Sequence, residues 1–261
     1  MSVIYEPKGK AREYSPLALN LYLDCSHGCK YCYAPAIQRK GEGYYKVASP
    51  RNNIIKLLEK DLERNAPKSQ VLLSFIGDVY SETADDGETT RQALETLCNY
   101  HVPTAVLTKG GARCLKDIDV FKKFGEHFQI GATLTFLDEK KSFEWEPGAA
   151  SPEERLRTLK TLHDEETQTF VSLEPVIEPE ETLALIHRTL ADGSVDIYKV
   201  GKLNNYRGLD KTIDWTDFLQ RALRMIRGAG KRVYVKRDLR IAAHNVILYG
   251  NEVIADDFCV R

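Results

Sequence analysis

Three cysteines near the start of the chain are spaced so that they could hold a metal cluster. Cys25, Cys29 and Cys32 follow the pattern C-x3-C-x2-C directly after a short apolar run. Three thiolates fill three of the four iron positions of a cubane cluster, which normally takes four cysteines. One iron would then stay open to a ligand from outside the protein. The spacing therefore predicts a reactive [4Fe-4S] cluster.

Three other interpretations of these cysteines remain open. A structural zinc site needs four closed ligands, and His27 lies where its ring and the thiolates could hardly all reach one tetrahedral ion. No second pair of ligands follows along the chain. A disulfide requires an oxidising compartment, and buried inert thiols need no partner at all. The cysteine spacing favours the cluster over each of these.

Length and charge limit the class of protein. The chain has 261 residues, which is enough for one large domain with a substantial core. Its 37 Lys and Arg against 38 Asp and Glu leave a net charge of -1, without the basic excess of a dedicated duplex binder. The first twelve residues contain no apolar signal, and no segment approaches the roughly 18 apolar residues of a membrane helix. These features predict a cytoplasmic protein with no membrane contact.

Short apolar runs alternate with amphipathic segments along most of the chain. An irregular arm over 1–16 precedes a first predicted strand at Leu17–Leu23, whose carboxyl end carries the cysteine loop. Further strands are predicted over 70–76, 104–108, 129–135, 169–173, 197–200 and 232–235. Helices are predicted over 53–64, 88–100, 118–124, 151–163, 180–190 and 215–227.

This alternation predicts an α/β fold with a parallel sheet. Strand-helix-strand units with one helix in each gap are right-handed and place their strands side by side. Six strands are well supported, a seventh is plausible, and an eighth is hard to find, which favours an open, partial barrel. We predict one domain over 1–261, divided into the arm (1–16), a barrel core (17–204) and a C-terminal helix, strand and tail (205–261).

Polar residues follow the predicted strands at the end where parallel barrels gather their reactive groups. They are Gly77 and Asp78 after the second strand, Lys109 after the third, Thr133 and Thr135 at the fourth, Glu174 at the fifth, and Gly201 with Asn204 after the sixth. Caps and turns explain each of them equally well when it is taken alone. Their recurrence at successive strand ends favours one shared site.

The cysteine motif, with Tyr31 directly before its last cysteine, resembles the signature of the radical S-adenosylmethionine (radical SAM) enzymes. The resemblance implies that S-adenosylmethionine binds the open iron through its amino and carboxylate groups. It further implies that an electron from the cluster cleaves the sulfonium to a 5'-deoxyadenosyl radical, while the protein holds cofactor and substrate. A partial (β/α)6-type barrel is the fold that this family would have.

A finer resemblance, to the spore photoproduct lyase-related or DNA repair photolyase-like group, extends from about Tyr5 to Asn204. It is carried by the cysteine motif, by Leu107-Thr108-Lys109, by Glu174-Pro175-Val176-Ile177, and by segments 14–20, 146–149 and 151–156. It implies that Gly77 and Asp78 border the methionyl part of the cofactor, Lys109 its carboxylate, Thr133 or Thr135 its amino or ribose groups, and Gly201 its adenine. Tyr31 and Glu174 complete the implied cofactor-binding set.

The chain departs from this group at the hydrogen-atom donor. Spore photoproduct lyase uses a cysteine near the end of its second strand, whereas segment 74–77 here contains no thiol. Cys114 follows the Lys109 loop, and Cys259 lies on a tail that could fold over the barrel mouth. Tyr80 is a third candidate radical relay. Packing alone would also explain each of these three residues.

A basic cluster near the C-terminus has two interpretations. The cluster consists of Lys231, Arg232, Lys236, Arg237 and Arg240. Its charges would lie on both faces of any strand, as they do on a solvated edge strand. Alternatively, Lys236, Arg237 and Arg240 form a phosphate- or substrate-binding rim beside the barrel mouth.

The sequence as a whole predicts a radical SAM enzyme whose radical abstracts hydrogen from a substrate held over the strand ends. The nearest resemblance suggests a nucleic-acid lesion or a nucleotide as substrate. A one-electron reductant such as flavodoxin or ferredoxin is the implied partner. Two alternatives stay open, namely a maturase of a peptide or small metabolite and a metal-stabilised binding module.

Overall fold

Eight strands form one sheet in which their order is the order of the chain. The computed structural model describes residues 2–203, 206 and 208–261. Strand β1 (Ile4–Tyr5) lies antiparallel to β2 (Leu17–Leu19), and each later strand is parallel to the one before it. The later strands are β3 (Val71–Leu73), β4 (Thr104–Thr108), β5 (Phe128–Thr133), β6 (Gln168–Val176), β7 (Ile197–Lys202) and β8 (Arg232–Val235). Because β1 and β8 are the two edges, the sheet forms an open, partial barrel.

Helices cover the outer face of the sheet, and local signals explain where they start. Ser151 accepts a hydrogen bond from the Glu154 amide and Pro152 follows it, so one helix begins there. The helices are α1 (Ala34–Ile37), α2 (Ile54–Arg64), α3 (Glu88–Asn99), α4 (Ile118–Phe124), α5 (Glu139–Trp145), α6 (Pro152–Asp164), α7 (Pro179–Asp192), α8 (Trp215–Gly228) and α9 (Arg237–Ala242). In the part of the chain that the structure describes, no helix is long and apolar enough to span a membrane.

Strand residues alternate between an outer apolar core and the barrel interior. Val71, Leu73 and Val106 point outward into a core with α2, α3 and α4, while the other half of the sheet packs on α6, α7 and α8. The interior positions have the opposite parity and are partly polar, as Ser172 and Lys199 show. The outer core therefore stabilises the barrel, and its interior is available for other groups.

The N-terminal arm and the C-terminal tail fill the barrel near the amino ends of its strands. The Tyr14 ring lies inside, against Leu72 and Ala105. At the amino ends of the strands, the Gln129 side chain donates to the Phe258 carbonyl at 2.9 Å. The Val260 amide donates to the side chain of Gln70 at 3.0 Å. The tail thus closes the end of the barrel opposite the cysteine loop.

Lys199 lies buried beside this closure without an anionic partner among the described residues. It is 1% exposed, and its Nζ is 3.4 Å from the Tyr14 carbonyl oxygen and 4.8 Å from the Phe170 ring centroid. The pKa of Lys199 is lowered to about 8, mainly by burial; Cys259 opposes the shift, and nearby Lys236 and Arg232 add to it. The charged form is therefore unfavourable in the folded protein.

We expect Lys199→Met to change the pH dependence of stability. Between pH 8 and 10.5 the unfolded chain holds the Lys199 proton and the folded protein does not, so the free energy of unfolding rises with pH in this window. The wild type should gain on the order of 2–3 kcal/mol there relative to the variant, and the variant should be the more stable one below pH 8. Urea titrations of both proteins across this range measure the difference. Parallel pH curves would contradict the prediction, and exposed Lys56→Met should leave the slope unchanged.

The fold confirms the predicted α/β open barrel, with all seven predicted parallel strands present. The structure adds β1 within the arm that was predicted to be irregular, and the first parallel strand ends at Leu19 instead of Leu23. It also adds the short helices α1, α5 and α9, which are too brief to show a helical period. Asn204, predicted at the sixth strand end, lies outside the described residues.

Candidate active site at the carboxyl ends of the strands

The cysteine loop follows β2 at the open end of the barrel. Cys25 and Cys29 are buried, and Cys32 is half-buried. The Cys32 amide donates to the Cys29 carbonyl at 3.1 Å, and the Tyr45 hydroxyl donates to the same carbonyl at 2.9 Å. All six cysteines of the chain are free thiols. The three thiols therefore lie together on one short loop, which the hydrogen bond from Tyr45 stabilises.

The donor set of this loop fits an iron-sulfur cluster. Among residues 2–203, 206 and 208–261, no three His, Cys, Asp or Glu side chains converge on one point as the ligands of a single ion do. A cubane does not need such convergence, because each thiolate binds a different iron. Burial raises the pKa of Cys29 to about 12, while the positive charge of Lys109 opposes this shift. A bound cluster would supply the positive charge that three buried thiolates require.

Asp78 connects the loops that follow β2, β3 and β4. Its Oδ1 accepts from the Tyr80 amide at 2.9 Å and from the Thr108 hydroxyl at 2.7 Å. Its Oδ2 accepts from the Lys109 amide at 2.7 Å and from His27 Nε2 at 2.9 Å. Burial opposes its charge, but His27 and these hydrogen bonds lower the pKa of Asp78 well below its usual range. Protein donors therefore occupy both oxygens of Asp78, and this carboxylate holds the three loops together.

Gly77, next to Asp78, lies directly against the cysteine loop. Its φ is +76°, and a Cβ there would be 2.8 Å from the carbonyl oxygen of Asp24. Glycine is therefore required for the β3 loop to approach the backbone that leads into Cys25. This contact explains Gly77 without a cofactor.

His27 stabilises the cysteine loop through hydrogen bonds at both ring nitrogens. It is 2% exposed, its Nε2 donates to Asp78, and its Nδ1 donates to the Gly148 carbonyl at 3.0 Å. The ring therefore joins the cysteine loop to the β3 end and to the loop before α6.

We expect His27→Gln to loosen the cysteine loop, because one amide group cannot reach both partners. The free energy of unfolding should fall by about 1–3 kcal/mol, since a buried acceptor is left unsatisfied. Iron content after anaerobic reconstitution should fall with it. Iron assay and urea denaturation measure the two effects. His187→Gln, on the exposed side of α7, is the matched control, and equal iron content in the two variants would contradict the role of His27.

A buried charge network supports the other side of the loop. The Arg155 guanidinium donates to Glu146 Oε2 at 2.7 Å and to the Thr133 carbonyl at 2.7 Å, and the Tyr31 hydroxyl donates to Glu146 Oε1. Burial opposes the charge of Glu146, but Arg155 and Lys109 lower its pKa. This network fixes Tyr31, whose ring faces Lys109 Nζ at 5.7 Å.

The positive charge of Lys109 acts on all three cysteines. Burial opposes its charge, yet Cys29, Glu146 and Asp78 together raise its pKa, so that it stays protonated. Among the described residues, no carboxylate lies within ion-pair distance of its Nζ. Lys109 is thus a cation that a bound carboxylate could neutralise.

Thr133 and Thr135 differ in what they offer at the end of β5. The Thr133 carbonyl is taken by Arg155. Thr135 Oγ1 is buried and, within the described part of the chain, has no hydrogen-bond partner. An orphan hydroxyl at this position is free to bind a polar ligand group.

Glu174 and Lys236 form an ion pair on the opposite wall of the barrel. The Lys236 ammonium donates to Glu174 Oε2, and the Tyr14 hydroxyl donates to the same oxygen at 2.9 Å. Lys236 Nζ also lies 4.1 Å from the Tyr14 ring centroid. At Gly201 a Cβ would come within 2.8 Å of the Glu174 carboxyl carbon and 2.9 Å of Lys236, so a larger residue there would displace this pair.

The three candidate radical relays do not lie at the barrel mouth. Cys114 is fully buried in the outer core, where burial raises its pKa to about 12. Tyr80 packs in the same core and donates to Asp117 at 2.9 Å. Cys259 lies on the tail at the closed end, with its Sγ 3.9 Å from the Tyr14 carbonyl oxygen. The tail contacts the amino ends of the strands. The expectation that it folds over the barrel mouth is therefore wrong.

The predicted basic rim divides into two parts. Lys236 points into the barrel, whereas Arg237 and Arg240 belong to α9 and lie on the outside. The edge-strand interpretation of the whole cluster is therefore wrong, because β8 ends at Val235 and a helix follows.

Several residues of the site were missed by sequence reasoning. They are His27, Tyr14, Arg155 and an apolar group at the mouth in which Phe136, Trp145, Ile177 and Leu203 pack with Tyr31. Arg155 and Glu146 both stand in segments that resemble the lyase-related group, and this was the one available signal. The apolar group comes from the loops after β2, β5, β6 and β7 and from the end of α5, and it has no local signature.

The chain matches the model of the radical SAM superfamily over residues 19–192, which is more than half of its length. It is 30% identical over 160 residues to the uncharacterized protein MJ0683 of Methanocaldococcus jannaschii, covering 61% of this chain and 60% of that one. It is 26% identical over 212 residues to the uncharacterized protein ORF301 of Acidianus two-tailed virus, covering 74% and 68%.

Solved structures show the same fold at low identity. Spore photoproduct lyase complexed with dinucleoside spore photoproduct superposes with a TM-score of 0.65 at 12% identity, over 88% of this chain and 78% of that one. SuiB of Streptococcus suis bound to S-adenosylmethionine gives a TM-score of 0.63 at 14% identity, over 89% and 53%. This chain therefore spans about half the length of SuiB. Radical SAM proteins use a [4Fe-4S] cluster and S-adenosylmethionine, and the cysteine loop after β2 has the ligands for that cluster. The chain belongs to the radical SAM superfamily.

Proposed function

We propose that this protein is a radical SAM enzyme that cleaves S-adenosylmethionine reductively and abstracts hydrogen from a nucleic-acid lesion or a nucleotide. One observation carries the proposal. The cysteine loop, Lys109 and the orphan hydroxyl of Thr135 all lie at the carboxyl ends of β2 to β5, facing a second polar wall at β6 to β8. When bound, the cluster and S-adenosylmethionine supply an organic radical that can take a hydrogen atom.

The residues of this chain would have separate tasks around the cofactor. Cys25, Cys29 and Cys32 hold the cluster, and Lys109 neutralises the carboxylate of S-adenosylmethionine. Thr135 offers its hydroxyl to an amino or ribose group. Asp78, through its bond to the Lys109 amide, keeps the loop after β4 at the cysteine loop. Binding energy from these groups would hold the cofactor in one orientation, which is the main contribution of protein to cofactor chemistry.

The second polar wall would hold the substrate. Glu174, Lys236 and the Tyr14 hydroxyl are joined to each other and lie across the barrel from the cysteines. Two donors therefore hold the Glu174 carboxylate in place. We propose that Glu174 belongs to the substrate site and does not bind the cofactor.

The proposal also covers the electron donor, the cellular location and the domain organisation of the protein. A one-electron donor such as flavodoxin or ferredoxin would reduce the cluster, and six free thiols suit a reducing cytoplasm. One continuous sheet from β1 to β8 supports a single domain over 1–261.

Anaerobic reconstitution tests the proposed function. The protein should bind about four irons per chain, turn brown and, after reduction by dithionite, convert S-adenosylmethionine to 5'-deoxyadenosine and methionine. Deuterium transfer from a labelled nucleotide or lesion into 5'-deoxyadenosine would identify the abstracted hydrogen. A colourless protein that holds one zinc ion per chain would instead support a binding module.

The alternative function is a maturase of a peptide or small metabolite. The fold similarity to SuiB, a structure of which is bound to the precursor peptide SuiA, is at 14% identity and shows the fold alone. Deuterium transfer from a labelled peptide, with none from nucleotides or oligonucleotides, would decide for this alternative.

A further inference from the structure

A groove of about 470 Å³ lies on the open edge of the barrel. The N-terminal arm lines one side of the groove with Lys10, Arg12 and Glu13. The start of α9 and the tail line the other side, and Tyr234 of β8 forms part of the groove wall. No strand pairs across this edge, so the groove is a direct consequence of the open barrel.

Every carboxylate in the groove already has a partner. Asp238 pairs with Lys10 at 2.5 Å, and Asp256 pairs with Arg12 at 2.6 Å. Glu13 Oε1 accepts from the Tyr234 hydroxyl at 2.8 Å and from the Arg237 amide at 2.7 Å. Asp238 and Asp256 are therefore neutralised by cations, whereas Glu13 is held by two neutral donors. With four cations against three carboxylates, the groove keeps an excess of positive charge.

Two guanidinium groups in the same groove remain unpaired. Among the described residues, neither Arg237 nor Arg240 has a carboxylate within ion-pair distance of its side chain. Arg240 Nε is buried and has no hydrogen-bond partner there. The two arginines stand three residues apart on α9, and this spacing places them on one side of the helix. The groove thus carries two unsatisfied positive groups in a concave surface.

The groove adjoins the substrate wall. Glu13 faces the groove while its neighbour Tyr14 points into the barrel, and Arg237 faces the groove while its neighbour Lys236 pairs with Glu174. Only the backbone of these two residue pairs separates the two spaces. A ligand in the groove would therefore lie directly behind the Glu174–Lys236 pair.

We propose that Arg237 and Arg240 bind a phosphate group of the substrate in this groove. Guanidinium groups bind phosphate oxygens through paired hydrogen bonds, and a phosphate has enough oxygens to accept from both side chains. The inference rests on the proposed function and makes it more specific, because it requires a substrate that carries a phosphate. That phosphate belongs either to a free nucleotide or to a phosphodiester of a single strand.

Binding of a fluorescein-labelled single-stranded oligonucleotide, followed by fluorescence anisotropy without reductant, tests the site. We expect R237Q/R240Q to bind about 10- to 100-fold more weakly than the wild type at low salt. The slope of log affinity against log salt should fall by about 1.4, as for two lost phosphate contacts to a single strand. D238N, which removes a competing carboxylate, should bind a few-fold more tightly.

The matched control is K56Q/R224Q, which removes two equally unpaired positive charges from α2 and α8. It should keep wild-type affinity and salt slope, and thermal denaturation should show that both double variants are folded. A mononucleotide that displaces the oligonucleotide at equal affinity would assign the site to a free nucleotide, and failure to displace it would assign the site to a strand.

Equal binding by wild type and R237Q/R240Q, or an equal loss in the control, would overturn the phosphate site. This outcome differs from failure of the proposed function. That failure would appear as absent S-adenosylmethionine cleavage by the reconstituted wild type, whatever the groove binds.

Discussion

Replacing Cys29 by alanine is expected to remove most of the iron from the reconstituted protein. The wild type should hold about four irons per chain, and Cys29→Ala fewer than about one, because two thiolates leave two iron corners without protein ligands. Reductive formation of 5'-deoxyadenosine should disappear with the iron. Iron and sulfide assays, the visible absorption of the cluster and product chromatography measure the three effects on the same sample.

Cys98→Ala is the control for this substitution. Cys98 is half-buried on α3 at the edge of the outer core and is distant from the cysteine loop. Its removal should leave iron content and cleavage at wild-type levels. If Cys29→Ala also retained both, the cluster assignment to the loop after β2 would be refuted.

Replacing Arg155 by methionine is expected to cost about 3–5 kcal/mol of unfolding free energy. Arg155 and Glu146 are 1% and 0% exposed at their side chains, and their contact is 2.7 Å. Removing one partner leaves a carboxylate buried without its counter-charge, and this is far more costly than losing a surface pair. Arg155 also donates to the Thr133 carbonyl and to the Ser142 hydroxyl, and both acceptors would lose their donor. Urea denaturation monitored by circular dichroism measures the loss.

Two further variants isolate the cause. Arg157→Met lies on the same helix with a 74% exposed side chain and should change stability by less than about 0.5 kcal/mol. Arg155→Met/Glu146→Gln removes the uncompensated charge, so it should recover part of the stability lost in Arg155→Met. A double variant that is less stable than Arg155→Met would show that the cost does not come from the buried carboxylate.

The same network connects stability with the site. Glu146 accepts from Tyr31, which stands between Cys29 and Cys32 in the sequence. Arg155→Met should therefore also lower iron retention in protein that is still folded. This pairing explains why segments 146–149 and 151–156, far from the cysteines in sequence, belong to the site.

Local patterns were sufficient for the elements of the fold. The helical stripe of Ile54, Leu58 and Leu62 and the buried run at Val71–Leu73 depend on neighbours within a few residues. Such periods are visible in the sequence because the outer core needs apolar side chains at fixed spacing. The parallel order followed, because each strand is joined to the next by a right-handed crossover.

Contacts between distant residues were not predictable in this way. His27 meets Asp78 across 51 residues, and Tyr14 meets Glu174 across 160. Asp78 was predicted as a cofactor ligand because its type and place suited that task. In the structure, four donors from three loops already occupy its oxygens.

The face on which a side chain lies also required the structure. Cys114 and Tyr80 follow strand ends, yet the turns after β3 and β4 direct them into the outer core. Lys236 and Arg237 point to opposite sides, as neighbours at the end of a strand do. Only the structure shows that a helix starts at Arg237, so that Arg237 and Arg240 share one side.

The sequence by itself determined the cysteine motif, the alternation of strands and helices, and hence the superfamily and the open barrel. These features depend on residue types at short, fixed spacing. Only the tertiary structure decided that His27, Asp78, Glu146 and Arg155 support the cysteine loop and that Arg237 and Arg240 face a groove. Burial and charge pairing across the barrel decide those roles, since they depend on which loops meet in space.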